Sequence, residues 1–177
     1  MKPERSALKE QGIRRLMVLR RVFAKGRLHF AGAGLSGPLR QKSMAMEVVI
    51  YACQQAVPDP AVLKAKWGKS QARLRVLAEP CSSKVESFQM LRTLATPVDL
   101  VWVIGCAEAS CRYEDGSRRL GGRVKYVQRY LEEIGLEADR LGRSLVTPGD
   151  GTAPAAIIKE IKARLEALGE SRLKNLG

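Results

Sequence analysis

Cysteine is the residue best suited to chemistry in this chain, and there are four: Cys53, Cys81, Cys106 and Cys111. The last two stand five apart in "GCAEASCRYEDGSRR", at the end of an apolar run with arginines close behind. Such thiols can serve as buried packing, as a redox pair or as metal ligands. A Cys106–Cys111 disulfide switch is one option, although neither residue belongs to a C-x-x-C motif. Little else in the chain is reactive. The single histidine, His29, lies in a Gly- and Pro-bearing stretch, so a hydrolase triad or a His-rich catalytic zinc centre lacks its parts. Glu108, Glu114 and Asp115, close to the thiols, read as solvated loop carboxylates.

From Met46 onward, strand patterns alternate with helix patterns. "MEVVIYAC" is a short β-branched strand ending at Cys53, followed by a turn-rich "VPDP". "ARLRVLAEPC" is a second strand, ending at Cys81. Ser83, with Glu86 three residues on, then reads as a capping box that opens a helix through about Leu94. "DLVWVIGC" is the most apolar strand and suits the middle of a sheet covered on both faces. The next helix is expected to start after Ser117 and to stop at Gly135. Gly121 and Gly122 inside it cost about 1 kcal/mol each against alanine, which points to close packing there. A shorter strand in "RLGRSLVTP" and a helix from near Thr152 to Leu168 complete the alternation. The pattern predicts an α/β fold: a small open parallel sheet with flanking helices, of the flavodoxin or Rossmann kind.

That topology says where the thiols go. Parallel strands all point one way, so their carboxyl ends share one edge, and open α/β sheets hold their ligands there. Cys53, Cys81 and Cys106 each close a strand, and Cys111 can fold back from the next loop as a fourth thiolate. Tetrahedral sulfur coordination suits zinc or an iron–sulfur cluster, and these spacings match neither a zinc ribbon nor a ferredoxin. The helix expected just after Cys81, and Arg112, Arg118 and Arg119 after Cys111, are expected to favour thiolate over thiol.

Charge divides the chain differently. Its formal charge is +13, and the first 42 residues hold eleven of the Lys and Arg residues against only Glu4 and Glu10. A basic arm over residues 1–45, an α/β domain over 46–169 and a loose tail over 170–177 follow from this reading. Residues 4–25 read as a helix whose apolar side (Ile13, Leu16, Met17, Leu19, Phe23) is broken by Arg20. That sorting suits docking on a partner subunit better than lying on a membrane surface. Gly32, Gly34 and Gly37 match G-x-G-x-x-G, but no buried strand precedes them and Pro38 follows, so a hinge is the better reading. Only 5% of residues are aromatic, with Phe23 and Phe30 alone in the arm, which makes specific nucleic-acid binding a poor fit. No stretch has the length of a membrane span, and no signal-peptide core is evident. A cytoplasmic, reducing setting is therefore the default expectation, and there four cysteines suggest metal or redox chemistry more than structural disulfides.

At the cysteine segments the chain resembles the delta subunit family of methyl-viologen-reducing hydrogenase. "VIYAC", "EPCSSKVES" and "VIGCAEASCRYEDGSRRLGGRVKYVQRYLEEIGLEADRL" carry the likeness, over roughly residues 46–169. The family's P-C-S-G-R segment appears as Pro80, Cys81, Ser82, Ser83 and Lys84. Its G-C-H-x-x-x-C-x-Y-x-x-G-N segment appears as Gly105, Cys106, Ala107, Cys111, Tyr113, Gly116 and Ser117. The resemblance implies a small electron-transfer subunit holding a [2Fe–2S] cluster, with Cys53, Cys81, Cys106 and Cys111 as its ligands. It also implies two partners: a flavoprotein related to the A component of heterodisulfide reductase, and a further donor or acceptor subunit. Ala56 stands where the family has another cysteine, and Ala107, Ser83 and Ser117 replace its histidine, glycine and asparagine. A zinc-bearing or metal-free structural subunit of the same shape is the alternative.

Overall fold

The computed structural model describes residues 45–173; the expected basic helix and the glycine hinge lie outside them. Four strands form one parallel sheet: β1 (Glu47–Cys53), β2 (Arg73–Glu79), β3 (Leu100–Cys106) and β4 (Leu141–Val146). Their order across the sheet is β2-β1-β3-β4. Four helices link and flank them: α1 (Ala61–Trp67), α2 (Ser87–Leu94), α3 (Gly116–Glu133) and α4 (Ala153–Leu168). This is the α/β architecture expected from the alternating pattern.

The apolar runs explain the layering. β1 and β3 lie in the middle, and nearly all of their residues are buried, because helices cover both faces. On one face, Val48, Ile50, Trp102 and Ile104 pack against Leu63 and Trp67 of α1 and Ile157, Ile161 and Leu165 of α4. On the other, Val49, Tyr51, Val101 and Val103 meet Met90 and Leu94 of α2 and Leu120, Val124, Val127 and Leu131 of α3. The last four recur at helical spacing, giving α3 its buried stripe.

Several local expectations change. The "VPDP" turn leads directly into α1, where the Asp59 carboxylate accepts a hydrogen bond from the Ala61 N–H at 2.8 Å. Two turns of helix that bury only Leu63 and Trp67 are too short to show a period in sequence. Ser83 caps nothing. Residues 82–84 form a single 3₁₀ turn, and α2 begins at Ser87 with no side-chain cap. Cys81 therefore lies two residues beyond β2 and six before α2, so the helix expected just behind it is not there. The residues read as a loose tail are held where described: Ser171 and Leu173 are buried. The expected stop at Gly135 is present, with φ of +79°.

Opposite the carboxyl ends, a polar knot ties the sheet together. Asp99, fully buried, accepts from the Glu47 N–H and the Ser171 N–H, each at 2.7 Å. Arg140, just before β4, donates to the carbonyls of Asp99, Gly169 and Glu170 at 3.0–3.2 Å and pairs with Glu137 at 2.9 Å. The starts of β1, β3 and β4, the end of α4 and the segment after it meet at these two side chains.

Candidate metal centre

The strand order reverses between β1 and β3, since β2 lies outside β1 and β4 outside β3. At such a switch point the loops leave in opposite directions and open a crevice at the carboxyl ends. Cys53 ends β1 and Cys106 ends β3, so both thiols stand at that crevice, with their sulfurs 3.8 Å apart. The thiol that Cys106 meets at this distance is Cys53, not the Cys111 of a disulfide switch. All four cysteines are free, three of them buried and Cys111 half-buried.

The other two sulfurs gather around a glycine. A methyl group built on Gly116 would lie 3.2 Å from Cys81 Sγ and 3.2 Å from Cys111 Sγ. Any side chain at this first residue of α3 would push into both thiols, which gives the glycine a steric reason. The loop is shaped to bring Cys111 there. Glu114 takes the left-handed conformation, with φ of +50°, and its N–H reaches back to the Cys111 carbonyl at 3.0 Å. Ser117 donates its hydroxyl to the Cys106 carbonyl, tying the start of α3 to the end of β3.

Electrostatics divides the four thiols. Burial and the neighbouring Cys53, then Cys111 and Cys81, push Cys106 up to about 12. Burial alone would raise Cys111 as well. Hydrogen bonds from the N–H groups of Tyr113, Ser117 and Gly116 outweigh it and hold the thiol below its ordinary value. The negative charge at Cys111 is thus met by backbone at the start of α3, not by the arginines expected in that role. Arg118 and Arg119 are mostly exposed and pair with Asp115 at 2.8 and 3.9 Å.

The residues missed in sequence are small and polar. Ser83 Oγ donates to Cys81 Sγ at 3.2 Å. Ser82 Oγ is buried beside Gly105 of β3, with no hydrogen-bond partner among the described residues. Ala56, where the resembling family carries another cysteine, lies in the turn after Cys53, its N–H 3.0 Å from the Cys53 carbonyl, and is buried in the same apolar cluster. Serines beside a cysteine give no pattern of their own; only the departure from P-C-S-G-R singles out Ser83.

Soft sulfur donors, a glycine cradle and an orphaned buried hydroxyl suit a metal–sulfur group. Among the described residues, no three Cys, His, Asp or Glu side chains converge as ligands to a single ion. The thiols come instead as two pairs, Cys53 with Cys106 and Cys81 with Cys111. Two sulfurs on one tetrahedral metal, with bonds of about 2.3 Å, stand about 3.8 Å apart, the separation of the first pair. Beside the second pair a cleft of about 360 Å³ opens, lined in part by Ser83, Tyr113, Gly116 and Arg119.

Comparison with known proteins gives the chain a family. The family model described as methyl-viologen-reducing hydrogenase, delta subunit, matches residues 48–169, well over half of the chain. The vhu iron-sulfur subunit of the F420-non-reducing hydrogenase of Methanopyrus kandleri is 30% identical over 124 residues, covering 69% of this chain and 93% of that protein. Its counterpart of the same name in Methanocaldococcus jannaschii is 29% identical over 103 residues, 58% of this chain and 77% of its own length. A likeness of 29% over 96 residues extends to the A component of the ferredoxin/F(420)H(2)-dependent CoB-CoM heterodisulfide reductase of Methanosarcina acetivorans, of which it covers 12%.

Proposed function

Because the chain belongs to the methyl-viologen-reducing hydrogenase, delta subunit family, we propose that it is an electron-transfer subunit of a larger redox complex. Cys53, Cys81, Cys106 and Cys111 are its ligands to a [2Fe–2S] cluster. The observation that carries this reading is the arrangement of the thiols in two pairs at one sheet edge. Paired thiolates are what a two-iron centre needs, and they leave a single zinc ion short of ligands.

Such a group supplies reversible one-electron transfer without making or breaking bonds to a substrate. The chain's own residues do the rest. β1 and β3 hold Cys53 and Cys106 rigidly, since both strands are buried on either face. The N–H groups at the start of α3 keep Cys111 receptive to a positive metal centre. Apolar packing around Cys53 and Cys106 keeps water from their sulfurs, and the half-buried Cys111 faces the side from which a partner can approach.

The partners we propose are a flavoprotein related to the A component of heterodisulfide reductase and a separate donor or acceptor subunit. The likeness to part of such a component supports the first, because one module then occurs both alone and inside that larger protein. The basic residues 1–42 are assigned to docking within the complex. Deleting them should release the chain from its partners and leave the cluster in place. No helix among the described residues is long and apolar enough to cross a membrane.

Anaerobic purification followed by iron and labile-sulfide analysis tests the assignment, with EPR of the reduced protein. About two irons and two sulfides per chain are expected. A metal-free interaction subunit of the same shape is the second reading, favoured by Ala56 in place of a family cysteine. A colourless protein without iron would establish that second reading.

A further inference from the structure

The turn after Cys81 contains a hydroxyl with no role in secondary structure. Ser83 Oγ lies 3.2 Å from Cys81 Sγ with the hydroxyl as donor. Two contacts hold it there. Ser83 Cβ lies 3.6 Å from the position a methyl group on Gly116 would occupy, so the side chain is packed against the start of α3. The Ser83 carbonyl accepts a hydrogen bond from Arg123 of α3, whose guanidinium also pairs with Glu86 at 3.0 Å. Arg123 thus ties both the 82–84 turn and the residue just before α2 to α3.

Resting on the cluster reading given above, we propose that Ser83 raises the reduction potential of the centre by donating its hydroxyl to Cys81 Sγ. When one electron arrives from a donor, part of the added charge falls on the ligand sulfurs. A hydrogen bond to sulfur is then stronger than in the oxidised state. The donor therefore stabilises the reduced form more than the oxidised form, and the potential rises. The same electron leaves to the acceptor, and the serine keeps its proton throughout. Ser83 is a positioning residue here, acting on the centre through Cys81. Glycine, the residue that the P-C-S-G-R segment carries at this place, has no hydroxyl to offer, so this chain should be the easier one to reduce.

The test uses the full chain with its centre assembled anaerobically. Ser83→Gly and Ser83→Ala remove the donor, while Ser83→Thr keeps it with added bulk. Iron content is measured for each, and the midpoint potential is read by EPR-monitored titration. The expected result is equal iron in all four proteins, a threonine variant that titrates with the wild type, and a common shift to lower potential for glycine and alanine. Midpoints for alanine and glycine that coincide with wild type would overturn the inference, as would a threonine variant that shifts with alanine. Wild-type protein without iron would instead overturn the reading on which it rests. Iron present with an unmoved midpoint defeats this inference alone.

Discussion

The two ends of the sheet are built from opposite materials. At the amino ends, Asp99 and Arg140 bond to the chain itself, and together they stitch β1, β3, β4 and the end of α4. At the carboxyl ends stand four free thiols and the Ser82 hydroxyl, which has no partner among the described residues. One end completes its own valences; the other has donors to spare. The difference shows how a small sheet can offer a rim to an outside group: its stability comes from elsewhere, so the rim need not close on itself.

The contrast is most exposed to experiment at the thiols. Cys106→Ser should take iron and labile sulfide from about two per chain to near none, while far-UV circular dichroism still reports a folded α/β domain. A variant that keeps its iron would remove Cys106 from the ligand set.

Arg140→Ala makes the opposite cut. It strips the donor from the carbonyls of Asp99, Leu168, Gly169 and Glu170 and leaves Glu137 with Arg172 alone. Leaving buried carbonyls without their donor costs about 1–3 kcal/mol, to be read as a lower urea midpoint with an unchanged slope. Iron bound per folded chain should stay at the wild-type level. Iron loss in step with stability would show that the two ends are not independent.

Acid offers a gentler probe of the same knot. Burial alone would raise the Glu137 carboxyl, but hydrogen bonding and charge from Arg140, with Arg172 beyond, hold it below the usual carboxylate range. Its pKa is therefore lower folded than unfolded. The stabilisation is fully present above the unfolded value of about 4.3 and is lost as pH falls through the folded value. Urea midpoints of the metal-free protein should drop over that acid range, and Glu137→Gln should flatten the drop.

The smallest expected effect belongs to α3, which spans the distance between the ends. Gly121 lies beneath the Arg143 guanidinium, whereas a methyl group on Gly122 would meet nothing within 4 Å. Close packing, expected for both glycines, is found only at the first. Gly122→Ala should therefore raise stability by about 1 kcal/mol from helix propensity alone, with iron content unchanged. A thermal melt is sufficient to check it.

Much of this architecture is legible in the order of residues, because strand and helix periods are local properties. "VVIYAC" and "LVWVIGC" announce buried strands by composition, and a parallel sheet then obliges Cys53 and Cys106 to share an edge. The capping box at Ser83 was a false signal for an equally physical reason. A serine followed by glutamate reads the same whether its hydroxyl finds a backbone N–H or a neighbouring sulfur. Arg118 and Arg119 differ similarly: nearness in sequence to Cys111 suggested charge compensation, yet both pair with Asp115.

The order of residues was thus enough for the fold class and the family, and it singled out the four thiols proposed as metal ligands. Folding alone decided which sulfur meets which, that Gly116 makes room for two of them, and that Arg140 secures the far end. Period and composition act over a few residues. Pairing and orientation depend on strand register and on loops that join positions about fifty residues apart, and these exist only once the chain has folded.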